Sequence, residues 1–278
     1  MHQDLKDRNA IVTGSGKRSG IGFGIARELA RRGANVMIAD LGNLAFENYG
    51  VKTGNREEMD SIAEEFNKEF GVKCLAVDLD VTDKKAIASM VETAQSTWGN
   101  VHILCNNAGA TFGVPNLVHT YDEDAWMKTL DINLHSVFRI SRAVLPLMLE
   151  VKGCIVNTAS RAGKVPPIFN GAYAVAKAGV IMLTKVMAKE LGGMGVRVNC
   201  VCPAQIMTDL ERWRFEQESQ FLGEPVEKRI EEMCTTIPLN RIGEPAEVGK
   251  TVAFLASDQA SYLTGQAINV CGGQLMEL

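Results

Sequence analysis

Tyr173 and Lys177 are the two side chains whose types and spacing could most directly move a proton. They lie four residues apart in Tyr173-Ala-Val-Ala-Lys177, so on a helix they share one face. A free phenol titrates at about pH 10, and a neighbouring ammonium lowers that pKa by favouring the phenolate. Tyr173 could therefore act as a general acid or base at a substrate oxygen. Taken alone, the same spacing also fits a surface pair without chemistry.

Ser160 could join this pair, because it follows the apolar run Cys154–Thr158, which is typical of a buried strand. Open α/β sheets place their ligands at the carboxyl ends of strands. A hydroxyl at that edge can donate a hydrogen bond to a substrate oxygen as charge develops there. The four histidines, at positions 2, 102, 119 and 135, show no ligand spacing, and we assign them no catalytic role.

A glycine-rich turn follows the first apolar run and reads Thr13-Gly14-Ser15-Gly16-Lys17-Arg18-Ser19-Gly20-Ile21-Gly22. Between a strand and a helix, such a turn lets backbone N–H groups approach a pyrophosphate at the positive end of the helix. The glycines alone would also fit a structural loop. Their position between strand and helix favours a dinucleotide site.

Asp40 ends the second apolar run, 18 residues beyond Gly22. This is close to the spacing of about 20 at which an acidic residue holds the adenosine ribose hydroxyls of a dinucleotide. A carboxylate there repels a 2′-phosphate, which favours NAD over NADP. Lys17 and Arg18 favour NADP instead, because they could neutralise that phosphate. By itself, Asp40 could also be a solvated carboxylate at a strand end.

Short β-branched runs alternate with amphipathic helical patterns along the chain, which is typical of a parallel sheet covered by helices on both faces. The first helix is predicted from Gly20 to Arg32 and closed by Gly33. Two segments depart from the alternation, Leu41–Asn55 and the charged, helical Thr208–Leu239, and we interpret both as insertions. With no repeat or linker, residues 1–278 are expected to form one domain. The predicted strands are Asn9–Thr13, Asn35–Ala39, Lys73–Val77, His102–Asn106, Cys154–Thr158, Arg197–Val201 and Ala267–Val270.

Composition argues against several function classes. The net charge is −4 and the basic residues are dispersed, so there is no basic stripe for nucleic acid. The seven cysteines are scattered and predict free buried thiols in a reducing compartment; Cys200 and Cys202 lack further ligands nearby, so no metal site is expected. The start of the chain lacks a signal-peptide pattern, and no uninterrupted apolar run reaches about 18 residues. We therefore expect a cytoplasmic protein with no membrane partner.

The loop at 13–22 and four later features together resemble the short-chain dehydrogenase/reductase family over nearly the whole chain. The resemblance implies a doubly wound Rossmann fold, with a seven-stranded parallel sheet flanked by helices on both faces. It also implies an acid/base set in which Lys177 holds the nicotinamide ribose and Asn133 holds a water that relays protons. The later features are Asp80-Val81, which resembles the adenine-recognising pair, Asn106-Asn107-Ala108-Gly109, which matches a motif that supports the sheet, Ser160 after the fifth strand, and Tyr173-x-x-x-Lys177.

The family likeness also assigns the cofactor contacts. The segment from Pro203 to Thr208 would cover the nicotinamide, with the Thr208 hydroxyl at the carboxamide. Residues 208–239 would then form a substrate lid. The expected catalytic residues are Asn133, Ser160, Tyr173 and Lys177, and the expected cofactor contacts are Gly14, Ser19, Gly20, Ile21, Asp40, Asp80, Val81, Asn107, Ala108, Gly109, Tyr173, Lys177, Pro203, Ile206 and Thr208.

The expected lid, residues 208–239, contains both apolar side chains and positively charged arginines. Arg212 and Arg214, together with Arg161 and Lys164, could receive an anionic substrate. A solvated amphipathic helix fits the same pattern.

One departure from the family concerns the glycine loop, which is longer here than usual, with five residues between Gly14 and Gly20. Longer loops occur in the related enoyl-acyl-carrier reductases, but those carry their tyrosine and lysine farther apart. The spacing of Tyr173 and Lys177 therefore favours a carbonyl/alcohol enzyme.

The expected function is an NAD-dependent oxidoreductase that interconverts a secondary alcohol and a ketone by hydride transfer. Its substrate would be a small molecule, and its assembly a homotetramer pairing the helices near 122–150 and 171–192, as the resemblance implies. Two alternatives stay open. One is an NADP-dependent ketone or enoyl reductase of the same fold, and the other is a non-catalytic nucleotide-binding scaffold.

Overall fold

The computed structural model describes residues 3–44, 47–48, 51–52 and 54–277. Its strands are β1 (Asn9–Thr13), β2 (Asn35–Asp40), β3 (Glu47–Asn48), β4 (Val51–Lys52), β5 (Cys74–Asp78), β6 (Ile103–Asn106), β7 (Cys154–Thr158), β8 (Arg197–Pro203) and β9 (Ala267–Val270). Seven of them form one parallel sheet in the order β5-β2-β1-β6-β7-β8-β9. The remaining two, β3 and β4, pair as a separate antiparallel hairpin.

The strand order reverses between β1 and β6. From β1 the chain first builds outward through β2 to β5, then crosses back to add β6 on the other side of β1. A crevice opens at the carboxyl ends of the strands at such a reversal, and it is the usual ligand site of open α/β sheets. All seven predicted strands are present at their predicted positions, which confirms the fold class.

Helices cover both faces of the sheet. On one side α1, α2 and α9 pack with Ala10 and Val12 of β1, and on the other α3, α5 and α6 pack with Ile11. Because alternate residues of β1 enter opposite cores, the strand is apolar throughout. The helices are α1 (Ile21–Arg31), α2 (Arg56–Phe70), α3 (Lys84–Trp98), α4 (Glu123–Leu130), α5 (Ser136–Val144), α6 (Gly171–Leu191), α7 (Asp209–Leu222), α8 (Val226–Thr235) and α9 (Pro245–Ala256).

Local signals account for the ends of several helices. The first helix lies where it was predicted, and Gly33 follows it at a φ of +94°, a conformation that glycine adopts without steric cost. Asn55 and Asp83 begin α2 and α3 by accepting backbone N–H groups, as N-cap residues do.

The two predicted insertions differ in structure. Residues 208–239 form α7 and α8, which confirms their helical character, and Phe215 is fully buried there against Ile237 and Ile242. The segment 41–55 holds a 3₁₀ turn, Gly42–Leu44, and the β3–β4 hairpin, and part of it lies outside the described residues.

Two further features bear on the class of protein. All seven cysteines are free thiols, and five of them are buried, as expected for small core side chains. The segment Gly171–Met194, which contains α6, is long and apolar enough to cross a membrane by length and composition. In the fold α6 packs against the sheet and buries Val180, Ile181 and Leu191, so a core helix accounts for that composition.

Candidate active site

Tyr173 and Lys177 lie in the first two turns of α6 and are brought together as predicted. The Lys177 Nζ atom is 5.5 Å from the centre of the Tyr173 ring. It donates a hydrogen bond of 2.8 Å to the Thr158 carbonyl oxygen at the end of β7. Lys177 is 4% exposed. This arrangement fixes a buried ammonium group beside the phenol at the carboxyl edge of the sheet.

Burial opposes the predicted electrostatic effect of Lys177 on Tyr173. Burial raises the pKa of the Tyr173 phenol, a hydrogen bond with Ser160 lowers it in part, and the negative charge of Glu211 raises it further. Burial also lowers the pKa of the Lys177 ammonium to about 8. Spacing along a helix does not reveal this desolvation. Tyr173 is therefore a protonated donor at neutral pH.

Ser160 lies directly beyond β7 in extended conformation and begins the short 3₁₀ turn Arg161–Gly163. Its hydroxyl oxygen accepts the Ala162 backbone N–H at 3.1 Å, and Ser160 lies close enough to the Tyr173 hydroxyl to lower the pKa of that phenol. Two hydroxyl groups thus converge on one small space, which suits a carbonyl oxygen that accepts two hydrogen bonds.

Asn133 sits in a π-helical turn, Asp131–His135, between α4 and α5. Its side-chain Nδ2 donates to the carbonyl oxygens of Ala110 and Thr129, whereas its buried Oδ1 has no hydrogen-bond partner among the described residues. A Cβ on Gly109 would lie 2.7 Å from this Oδ1 and 3.5 Å from Lys177 Nζ. Gly109 therefore keeps open the space between the two, where a bridging water would satisfy the unpaired acceptor.

The glycine loop lies against the end of β6. Gly14 has a φ of +65°, and a Cβ there would lie 2.7 Å from Ala108 Cα; a Cβ on Gly22 would lie 2.0 Å from the Gly14 carbonyl oxygen. The helix α1 begins at Ile21, and no side chain of its N-cap residue, Gly20, can occupy the first N–H groups. Because the loop backbone is closely packed and the first N–H groups of α1 have no side-chain cap, this region suits the binding of a diphosphate.

Asn107 holds three strand ends together beneath the loop. Its Nδ2 donates to the carbonyl oxygens of Thr13 and Gly14, each at 3.1 Å, and its Oδ1 accepts the Thr158 hydroxyl at 3.3 Å. The Thr13 hydroxyl accepts the backbone N–H groups of Asn107 and Ala108. The predicted cofactor residues 107–109 are thus fixed at the reversal of strand order.

Asp40 lies at the end of β2 beside the loop. Its two carboxylate oxygens accept the backbone N–H groups of Gly16 and Leu41, each at 2.8 Å. Burial raises the pKa of this carboxyl group, and the two hydrogen bonds oppose that shift. Each oxygen keeps a further lone pair, so Asp40 can shape the loop and still accept from a ribose hydroxyl.

The two loop cations have carboxylate partners. Lys17 pairs at 2.8 Å with Asp209, which begins α7, and Lys17 and Ser19 lower the pKa of the Asp209 carboxyl group. The Arg18 side chain contacts Glu65 and Ser61 of α2. Both cations are therefore engaged by carboxylate side chains of the protein.

The predicted adenine pair lies just beyond β5. Asp80 Oδ1 accepts both the backbone N–H and the hydroxyl of Thr82, and Val81 is buried. These contacts fix the turn that leads into α3, at the carboxyl edge of the sheet.

The segment Pro203–Thr208 leaves β8 and is held to Gly243. The Gly243 N–H donates to the Gln205 carbonyl oxygen at 3.0 Å, and its carbonyl oxygen accepts the Met207 N–H at 2.8 Å. Thr208 then caps α7, because its hydroxyl accepts the Glu211 N–H at 3.2 Å. The start of the lid is fixed in this way at the same edge as Tyr173.

One prediction about the lid requires correction. Lys164 Nζ donates to the Ala267 carbonyl oxygen and to Asn269 Oδ1, each at 2.8 Å, and it also pairs with Glu277. Arg214 contacts Glu211 and Gln205. These two cations serve the protein's own contacts, so they do not form the proposed receptor for an anionic substrate.

Two features of the site were missed. Glu211, whose side chain is 15% exposed, was read only as part of a charged helix. A buried chain of hydrogen bonds also runs beneath the site from Asn106 to Ser141 and Asn157, and from Asn157 to Thr184. Asparagine within apolar strand runs was the available signal, because a buried amide must be paired.

Known proteins match nearly the whole chain. A family model described as enoyl-(acyl carrier protein) reductase matches residues 14–274. The 3-oxoacyl-[acyl-carrier-protein] reductase FabG of Staphylococcus aureus is 37% identical over 270 residues, which cover 97% of this chain and 98% of that protein.

Solved structures agree with this match. L-sorbose reductase from Gluconobacter frateurii, complexed with NADPH and L-sorbose, has a TM-score of 0.88 at 27% identity and 100% coverage of both chains. An NAD⁺-bound xylitol dehydrogenase has a TM-score of 0.85 at 28% identity, covering 97% of this chain and 99% of that one. The chain therefore belongs to the short-chain dehydrogenase/reductase family of nicotinamide-dependent oxidoreductases.

Proposed function

We propose that this protein interconverts a ketone and a secondary alcohol, with Tyr173 as the acid/base. The observation that carries the proposal is the convergence of the Ser160 and Tyr173 hydroxyls beside the buried Lys177 ammonium. A bound nicotinamide would supply the hydride in reduction and accept it in oxidation. The residues left for the protein to provide are those that hold the oxygen and move its proton.

The proton steps follow from the contacts. In reduction the Tyr173 hydroxyl donates its proton to the substrate oxygen, while Ser160 holds that oxygen with a second hydrogen bond. Lys177 stays fixed on the Thr158 carbonyl oxygen, so its charge favours the phenolate that forms. A water between Lys177 and Asn133 Oδ1 would return a proton from solvent. Oxidation runs the same steps in reverse.

NAD is the proposed cofactor and NADP the alternative. Asp40 ends β2, and its carboxylate would repel a 2′-phosphate held there, while Lys17 and Arg18 have carboxylate partners. The structural relatives include one protein bound to NADPH and one bound to NAD⁺. Fluorescence titration with NADH and NADPH tests this choice. NADH should bind more tightly than NADPH, and Asp40→Ser should reduce the ratio of the two dissociation constants. Tighter NADPH binding would overturn it.

The proposed substrate is a small molecule, because the relatives are named for reactions of carbonyl or carbinol groups on acyl, sugar and polyol compounds. A cytoplasmic location and one domain spanning 1–278, with 208–239 as its lid, belong to the same proposal.

A homotetramer is also proposed. Helices α4 to α6 expose large apolar side chains that self-association would cover, namely Met127, Phe138, Val175, Met182 and Val186. Light scattering of the full chain tests this expectation, and a monomer would contradict it.

The deciding experiment compares Tyr173→Phe with Tyr262→Phe, a matched control because Tyr262 is fully exposed. Tyr173→Phe should lower kcat by about 10²–10⁴-fold, the usual range for an acid/base group, and leave cofactor binding intact. Tyr262→Phe should match the wild type. The panel includes secondary alcohols, ketones, a 3-oxoacyl thioester and an enoyl thioester, read at the nicotinamide absorbance. Wild-type activity of Tyr173→Phe on every accepted substrate would refute the proposal.

A further inference from the structure

Ser160 begins a short turn whose backbone is closed by its own hydrogen bonds. The Ser160 carbonyl oxygen accepts the Gly163 N–H at 3.0 Å, and the Arg161 carbonyl oxygen accepts the Lys164 N–H at 2.9 Å. Residues 160–164, here called the Ser160 turn, therefore form one unit. Whatever holds the sides of this unit also sets the direction of the Ser160 hydroxyl.

One side of the Ser160 turn packs directly on α6. A Cβ added at Gly163 would lie 2.6 Å from the Lys177 carbonyl carbon and 2.7 Å from the Ala178 backbone nitrogen. The turn therefore contacts the backbone of the helix that carries both Tyr173 and Lys177. This contact sets the distance between the turn and α6, but a single packing contact leaves the turn free to pivot.

The other side of the Ser160 turn is held through the Lys164 side chain, which is 11% exposed. Its ammonium group donates to the Ala267 carbonyl oxygen and to Asn269 Oδ1, each at 2.8 Å, and it pairs with Glu277. Three acceptors thus match the three N–H donors of an ammonium group, and hydrogen bonds from a charged donor are stronger than neutral ones. They tie the turn to β9 and to the residues that follow it.

Residues 271–277, here called the post-β9 segment, turn back toward β9. The Gln274 N–H donates to the Cys271 carbonyl oxygen at 3.0 Å and closes a turn. Beyond that turn, Glu277 Oε2 accepts a hydrogen bond from Asn269 Nδ2 at 3.2 Å. The asparagine that accepts from the ammonium group therefore also orients the carboxylate that pairs with it.

The post-β9 segment also holds the last residues of the proposed lid. The Leu239 N–H donates to the Gly272 carbonyl oxygen at 3.1 Å, and Gln274 Nε2 donates to the Thr236 hydroxyl at 2.9 Å. One short segment therefore contacts both the end of the lid and the cation that supports the Ser160 turn.

We propose that Lys164 and Glu277 are positioning residues for Ser160. Through them the post-β9 segment keeps the Ser160 turn from pivoting on α6, so that the Ser160 hydroxyl stays directed at the substrate oxygen. The inference rests on the proposed ketone and alcohol chemistry, in which Ser160 holds that oxygen. It adds a support that comes from a carboxylate 113 positions beyond Lys164 in the chain.

The experiment is a double-mutant cycle on the full-length protein with its cofactor, using the panel ketone that the wild type reduces fastest. Ser160→Ala should lower kcat by about 10²–10³-fold, the usual cost of removing a donor to the reacting oxygen. Lys164→Met should lower kcat by about 10- to 100-fold, the cost of a misplaced group. In the Ser160→Ala background, Lys164→Met should change kcat by less than about twofold, because no hydroxyl is left to position.

A purely structural role of Lys164 would lower kcat by the same factor with and without the Ser160 hydroxyl, so the cycle distinguishes the two roles. Lys68→Met, in the last turn of α2 at an exposed position, is the matched control and should keep the wild-type kcat. Thermal melts and the Kd for NADH are measured for each variant, and the Kd should not change.

Glu277→Ala guards against a folding defect in Lys164→Met, because the Glu277 side chain is 47% exposed. It leaves the ammonium group its two other acceptors, so kcat should fall by only about two- to fivefold, the scale of an exposed ion pair. This loss should also disappear in the Ser160→Ala background.

Two results would separate the two levels of the proposal. If Ser160→Ala lowers kcat but Lys164→Met and Glu277→Ala keep the wild-type value, or lower kcat equally in the Ser160→Ala background, the positioning role is refuted and the ketone chemistry stands. If Ser160→Ala is as active as the wild type on every accepted ketone, the assignment of Ser160 in the proposed function fails, and the positioning role fails with it.

Discussion

The cluster of Asn133, Ser160, Tyr173 and Lys177, here called the strand-end cluster, and the proposed lid at 208–239 are held by different forces. In the cluster, Lys177 and Asn133 hydrogen-bond to backbone carbonyl oxygens inside the core. In the lid, many contacts are ion pairs between half-exposed side chains, such as Arg229 with Glu218 and Lys228 with Glu224. Buried backbone contacts are screened little by salt, whereas exposed ion pairs are weak and salt-sensitive.

Under the proposed function, the difference separates the chemical step from substrate selection. The strand-end cluster is held by buried carbonyl oxygens of β7, α4 and the loop after β6. The proposed lid is held largely by exposed ion pairs, whose change need not disturb the core. Substitutions in the cluster should therefore cost the most activity, and substitutions in the lid should change binding by small, salt-dependent amounts.

The largest effect is expected from Lys177→Met. Removing the ammonium takes away the charge that favours the phenolate, so kcat should fall by about 10²–10⁴-fold. Lys185→Met, at an exposed position on the same helix, should leave kcat unchanged. Steady-state kinetics and a thermal melt measure both variants. If Lys177→Met kept a kcat within a few-fold of the wild type, the expectation that the cluster matters more for activity than the lid would be wrong.

Gly22→Ala tests the close packing of the glycine loop. A Cβ there would lie 2.0 Å from the Gly14 carbonyl oxygen, so the loop must move, and we expect a loss of about 3 kcal/mol in unfolding free energy. Gly192 has a φ of −58° and no heavy atom within 4 Å of an added Cβ. Gly192→Ala should therefore gain about 0.4–1 kcal/mol. Denaturant unfolding compares the two, and equal stability would contradict the packing argument.

A smaller effect is expected at Glu247, whose partner Arg241 follows the lid. The hydrogen bond with Arg241 lowers the pKa of Glu247 to about 2 from 4.5. Its folded pKa lies below its unfolded pKa, so its stabilisation is complete above pH 4.5 and is lost as the pH falls toward 2. Glu247→Gln should cost about 1 kcal/mol at pH 7, as a capping residue does, and the difference from wild type should shrink across that acid range.

Glu231→Gln is the control for that acid profile, since Glu231 is exposed. Its unfolding free energy should follow the wild type at every pH. If the difference in unfolding free energy between Glu247→Gln and wild type stayed constant down to pH 2, the ionisation of Glu247 would not be coupled to folding, and the prediction would be wrong.

The smallest effect is expected from Asp209→Asn, which removes the carboxylate that pairs with Lys17 and lies near Ser19. This carboxylate would compete with a diphosphate bound at the glycine loop for Lys17 and Ser19. Its loss should tighten cofactor binding by less than about fivefold at low salt, the scale of an exposed ion pair, and by nothing at high salt. Glu224→Gln, a lid variant remote from the loop, should not change the Kd. Weaker cofactor binding by Asp209→Asn would contradict the competition.

Much of the fold was predictable because the signals were local. The central strands were found because their apolar runs are buried on both faces, and the edge strands β5 and β9, which are mostly half-buried, were found from shorter apolar runs. Tyr173, Lys177 and Ser160 were found because helix periodicity and strand ends place them at one edge. The π-helical turn that carries Asn133 left no comparable signal in the sequence.

The sequence predictions failed where contacts with distant parts of the chain set the property of a residue. The pKa of Tyr173 depends on desolvation and on Glu211, 38 residues away along the chain. Lys164 is held by Glu277 and Asn269, contacts that no local pattern predicts. Glu211 itself was hidden by a sequence that reads as an ordinary helix start.

The π-helical turn at Asp131–His135 places one surplus residue inside the helical run from α4 to α5. A π-helical turn holds one residue more than an α-helical turn, so deleting one residue here would let the turn relax to α-helix while α4 and α5 kept their relative orientation. Asn133 Oδ1 would then leave the gap beside Gly109, although the length of the helical rod would hardly change. The number of residues in this turn therefore matters for the position of the Asn133 side chain as much as the identity of the residue does.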